Sequence, residues 1–189
     1  YIGENVANED FHIVWDFTNA TKQLGNQIII NNATLQLNIS HSDNLNNITC
    51  YPMNRTWTES TVTWNSLVNG CEATACYNST FKVMNFSIGT PFKGTINVSV
   101  NATYIQNMVS EPTWKWRSGI ICMAVELNDA KDKTVGLKSS DAILADPLGV
   151  PILYIDYDNI TNTSGVSITT SKINYTDPYV TLSTKLMGW

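Results

Sequence analysis

Asn32-Ala33-Thr34-Leu35-Gln36-Leu37-Asn38-Ile39-Ser40 alternates polar and apolar residues without a break. The odd positions are apolar and the even ones polar, the period-two pattern of a strand with one face in a core and the other in water. Within these nine residues the pattern Asn-x-Ser/Thr occurs twice, at Asn32 and Asn38. Each time the asparagine and its hydroxyl partner share the wet face, while Ala33 or Ile39 points the other way. A bulky hydrophilic glycan on such an asparagine would stand clear of the packing.

The same acceptor pattern recurs along the chain, at Asn19, Asn32, Asn38, Asn47, Asn54, Asn78, Asn85, Asn97, Asn101, Asn159, Asn162 and Asn174, never with proline in the middle. The 22 Asn, 22 Thr and 15 Ser of the 189 residues would make only about four by random placement. Asn97-Val98-Ser99 and Asn47-Ile48-Thr49 repeat the strand arrangement, with the outer two residues expected to face solvent. Charged residues are scarce at 14%, so N-linked glycans on an outer surface are the expected solubilising groups.

A net charge of −5 argues against a nucleic-acid binder, which needs a basic patch. No apolar run approaches the length of a membrane span. The chain opens at Tyr1 without an initiating Met or a signal segment, and so reads as a processed, mature product. Four cysteines, Cys50, Cys71, Cys76 and Cys122, fit an oxidising compartment and allow three pairings. Cys71 and Cys76 bracket a short polar loop suited to a local bridge. Cys50 and Cys122 lie in strand-like stretches, 48–53 and 120–127, and are expected to join neighbouring strands. A zinc site is the rival, but there is no CxxC pair and only His12 and His41 are available.

Strand periodicity dominates elsewhere. Phe11, Ile13, Trp15 and Phe17 alternate with Asp10, His12, Val14 and Asp16, and further strands are expected at 33–40, 47–53, 80–88, 94–100, 119–127, 133–138 and 151–157. One short helix is expected after Asn101, which would cap it. Tyr104, Ile105, Met108 and Val109 would form its apolar face and Pro112 would stop it. Together these predict an all-β fold, a jelly-roll-like β-sandwich with one short helix.

Thr56-Trp57-Thr58-Glu59-Ser60-Thr61-Val62-Thr63-Trp64-Asn65 resembles the W-x-E-S-x-x-T-W-N signature of DNRLRE-type secreted β-sandwich domains. That group is related to an alginate-binding carbohydrate-binding-module family and to archaeal disaggregatase-related repeats. Tyr1-Ile2-Gly3, Phe11-His12-Ile13-Val14-Trp15-Asp16-Phe17 and 30–39 are similar to its opening, 98–108 to its strand-to-helix segment, and 136–141 and 151–157 to its closing strands. The resemblance covers residues 1–158 and implies a sandwich domain of a secreted, archaeal cell-surface protein. Residues 159–189 extend past the point where such domains usually end, and a strand that usually precedes the Tyr-Ile pair is absent here.

That extension holds two strand-like runs, 166–173 and 179–186, and too little apolar sequence for a core of its own. It is therefore expected to pair with a sheet edge, its own or a neighbour's. Val180 and Leu182 suit a donor strand inserted into another copy, a head-to-tail contact that propagates as a polymer. The expected function is a structural subunit of an extracellular filament, sheath or coat. The alternative is a carbohydrate-binding module, with Trp114 and Trp116 alternating with Lys115 and Arg117 as sugar platforms. No catalytic motif is present, so an enzyme is not expected. Trp57 and Trp64 are expected to be core and turn residues. Calcium is a candidate ligand of the oxygen-rich loops 128–132 and 4–10, without a nameable ligand set.

Overall fold

The computed structural model describes residues 2–4, 10–11, 13–43, 47–58, 76–89, 92–124, 133–138, 151–160 and 170–176. They form an all-β sandwich of antiparallel strands in two sheets. By contact density the chain divides into two compact units, 1–18 with 40–93 and 113–136, and 19–39 with 94–112 and 137–189.

The second unit contains the sequence's clearest pattern. β4 (Ile28–Ser42) pairs with β7 (Gly94–Val100) on one side and β10 (Ile152–Asn159) on the other, and β10 carries β11 (Thr170–Thr176). Burial along β4 alternates as expected, with Ala33, Leu35, Leu37 and Ile39 at 0–2% exposure. Upstream the parity is reversed, Ile28 and Ile30 being buried. The ladder with β10 slips between Asp156 and Tyr157, so Asn31 is the extra residue of a bulge. Its side-chain amide donates to Asp158 Oδ2 at 3.0 Å. On β10, Leu153, Ile155 and Tyr157 join the same core.

The predicted helix is present as α2 (Ala102–Ser110), α1 (Thr18–Lys22) being a single turn that the sequence did not announce. Asn101 caps α2 by accepting from Thr103 N at 3.0 Å, and Tyr104, Ile105, Met108 and Val109 are its buried residues. Gln106 fixes the helix to the start of β4: its Oε1 accepts from Ile30 N at 2.8 Å and its Nε2 donates to Ile28 O at 3.2 Å. These are backbone groups that β7, paired only from Ala33 onward, does not reach.

In the first unit, the order is β3 (Ile13–Trp15), β8 (Ile120–Ala124), β5 (Ile48–Pro52) and β6 (Met84–Phe86) in one sheet. β1 (Ile2–Glu4) lies between β2 (Asp10–Phe11) and β9 (Thr134–Leu137) in the other. β1 also touches β8 of the facing sheet, the layer contact of a sandwich. The single strand expected across 11–17 is thus two strands in different sheets. Ile13, Val14 and Trp15 are all half-buried, so the alternation is not expressed there.

The expected strand at 80–88 narrows to β6, because Asn78 and Thr80 form an Asx turn: Asn78 Oδ1 accepts from Thr80 N at 3.1 Å. All five residues of β5 are buried. Trp57 has the structural role expected of it. It packs on the cluster of Tyr51, Met53 and Ile121, and its Nε1 donates to Ser118 O at 3.1 Å. The adjoining Gly119 has φ +123°, and a Cβ there would lie 2.5 Å from Trp15 O. Only glycine fits that turn. Trp64 lies outside the described residues.

Candidate functional site

The acceptor asparagines whose side chains are described lie off the core. Asn32, Asn47, Asn54, Asn85, Asn97 and Asn101 are exposed, and Asn38, Asn78 and Asn159 half-buried. Asn19 falls in α1 and Asn174 on β11, while Asn162 lies outside the described residues.

In the second unit Asn32, Asn38 and Asn97 share one sheet face. Register sets Asn174 of β11, Tyr154 of β10, Thr34 of β4 and Ser99 of β7 in one row. Ile152, Gln36 and Asn97 form the next row on one side of it, and Asp156 and Asn32 the next row on the other side, on the same face. Gln36 Nε2 donates to Asn97 Oδ1 at 3.3 Å. Asn32, Thr34, Gln36, Asn97, Tyr154, Ile155 and Asp156 line a groove of about 430 Å³. Its aromatic member, Tyr154, was not singled out in the sequence. The available signal was an aromatic on the polar parity of a strand whose other parity, Leu153, Ile155 and Tyr157, is buried.

In the first unit two acceptor motifs face each other across a ladder. β5 and β6 pair Ile48 with Phe86 and Thr49 with Asn85. Asn47 N donates to Ser87 Oγ at 3.1 Å, and Asn85 Nδ2 donates to Thr49 Oγ1 at 2.9 Å. Each motif's hydroxyl is therefore held by the other's asparagine. Asn47 has φ 54°, a left-handed conformation that asparagine tolerates better than most residues. The expectation that Thr49 faces solvent is incorrect: it is 1% exposed, because β5 runs between β6 and β8. Thr21, the hydroxyl partner of Asn19, is equally buried.

Cys50 and Cys122 are bonded, as expected, and sit directly opposite in the β5–β8 register with Cα atoms 4.0 Å apart. Cys76 is also disulfide-bonded; Cys71, its expected partner, lies outside the described residues. The tryptophans of the carbohydrate-binding alternative pack locally. Trp114 meets Phe81 edge-on at 6.3 Å, and Lys115 Nζ lies 4.7 Å over the Trp116 ring. Both indoles are half-buried.

Polar side chains also join β4 to β9. Asp43 Oδ1 meets His41 Nε2 at 2.9 Å, and its Oδ2 accepts from both Thr134 N and Thr134 Oγ1 at 3.1 Å. Burial tends to raise the Asp43 carboxyl, but the hydrogen bonds from His41 and Thr134 and the charge of His41 outweigh it. They hold it below its ordinary value near 3.8.

The loop 128–132 and residues 5–9 of the other calcium candidate lie outside the described residues. Among those described, no three His, Cys, Asp or Glu residues are grouped to hold a metal, and no helix is long and apolar enough to cross a membrane. Residues 170–176 of the extension pair with β10 of their own chain, shifted from the expected run 166–173, while Val180 and Leu182 lie outside the described residues. Comparison with protein-family models, curated proteins and solved structures finds no match.

Proposed function

We propose that the chain is a structural module of an extracellular surface glycoprotein, a filament, sheath or coat whose copies join by strand addition at sheet edges. The observation that carries this reading is the placement of the acceptor asparagines: every one whose side chain is described is outside the core, and several lie on outward strand faces. Glycans on faces oppose face-to-face stacking and leave edges free for pairing. β7, whose ladder partner among the described residues is β4 alone, is an edge of the kind a donor strand needs. A disulfide-linked strand pair suits a compartment outside the cell. The resemblance to archaeal disaggregatase-related repeats makes an archaeal cell surface the natural setting.

The carbohydrate-binding alternative at Trp114 and Trp116 draws less support. One ring packs on Phe81 and the other lies under a lysine, positions that serve the protein's own packing. A scaffold rather than an enzyme is the function proposed, with other copies of the chain as its partners.

The test is secretion of the chain from a glycosylating host with and without residues 177–189. Glycopeptide mass spectrometry reads site occupancy, and light scattering with negative-stain imaging reads assembly. Occupied sites together with higher-order species that vanish on the deletion are the expected result. Assembly indifferent to the deletion overturns strand donation from that segment, and a monomer at all concentrations overturns the polymer.

A further inference from the structure

We propose that the groove beside Tyr154 seats the first pyranose ring of the glycan carried by Asn32, so that this glycan is packed against the protein instead of projecting freely. This rests on the glycoprotein reading and adds an internal ligand site to it.

The groove is bordered by the acceptor motif itself. Asn32 and Thr34, the asparagine and hydroxyl of one motif, both line it, as does Asn97 of a second. Tyr154 lies directly across the ladder from Thr34, and Asp156 directly across from Asn32. Tyr154 is therefore the diagonal neighbour of Asn32, a relation that puts side-chain bases about 7–8 Å apart. A sugar ring linked to Asn32 Nδ2 bridges that interval. It emerges between an aromatic ring, which offers an apolar face to the sugar's C–H surface, and a carboxylate, which accepts from its hydroxyls. Asn97 lies on β7, one strand further from Tyr154 than Asn32. Asn32 is accordingly assigned as the donor of the occupant.

The test is a thermodynamic cycle on the secreted, glycosylated chain, with occupancy at each site read by glycopeptide mass spectrometry. Asn32→Gln is measured in the unmodified background and again with Tyr154→Ala. In the unmodified background, losing the glycan lowers Tm by about 2–4 °C, the shift of a 1 kcal/mol contact in a chain of this size. With Tyr154→Ala the same loss has no further effect, whereas Tyr154→Phe, which keeps the ring, preserves the shift. Both Tyr154 substitutions lie on the wet face, opposite the parity that enters the core. Equal shifts in both backgrounds with Asn32 occupied overturn the seating and leave the glycoprotein reading standing. Coupling of Tyr154 to Asn97→Gln in place of Asn32→Gln overturns the assignment of the occupant. An unoccupied Asn32 overturns the inference along with its premise at that site.

Discussion

Along β4, residues 33–39 alternate between core and water; along β5, all five residues are buried. The first strand is specified by its own polarity pattern, because a one-residue slip would turn Leu35, Leu37 and Ile39 outward. The second has no wet face to set its register. There, point constraints take over: the Cys50–Cys122 bridge, the Gly119 turn and the Trp57–Ser118 hydrogen bond. A repeating pattern tolerates the loss of any single element, whereas a few special residues do not.

The strongest way to break this contrast is to remove the bridge. A link across a separation of 72 residues is worth about 4 kcal/mol, so Cys50→Ala with Cys122→Ala should lower unfolding free energy by that order. Hydrogen exchange should show β5 and β8 amides losing protection before those of the β4–β10 ladder. Next comes Gly119→Ala, expected to cost about 3 kcal/mol in denaturant titration, since both the left-handed φ and the approach to Trp15 O oppose a Cβ. In the β4 ladder, Gln106→Ala removes partners from two backbone groups, and about 2 kcal/mol is expected in the same titration. Asn101→Ala should cost about 1 kcal/mol through the lost cap, with Asn101→Asp retaining most of it. That comparison separates capping from any effect of a missing glycan.

The smallest effect is that of acid. Asp43 ionises more readily in the folded chain than its ordinary value near 3.8. Its contribution is therefore full above that value and is lost as pH falls through the lower folded one. Thermal melts taken from about pH 5 downward should show a slight loss in that window, which Asp43→Asn abolishes.

The sequence carried the ladder well and the β5–β8 sheet less well, for the same physical reason. Period-two polarity located 33–39, and cap, apolar face and stop located α2. It also placed a strand at 11–17, where the chain changes sheets between Phe11 and Ile13, because alternation says nothing of which sheet a strand joins. Thr49 was misplaced for a related reason: an inner strand can bury a threonine if a partner meets its hydroxyl, and that partner, Asn85, is 36 residues away. The Tyr154 groove depends on three strands brought into register, information that no local window holds.

Thr21 and Thr49 have one consequence for biogenesis. An enzyme that must read the hydroxyl two residues beyond its target would find these two only on a still-unfolded polypeptide. Any sugar at Asn19 or Asn47 would thus have to be attached before these segments fold.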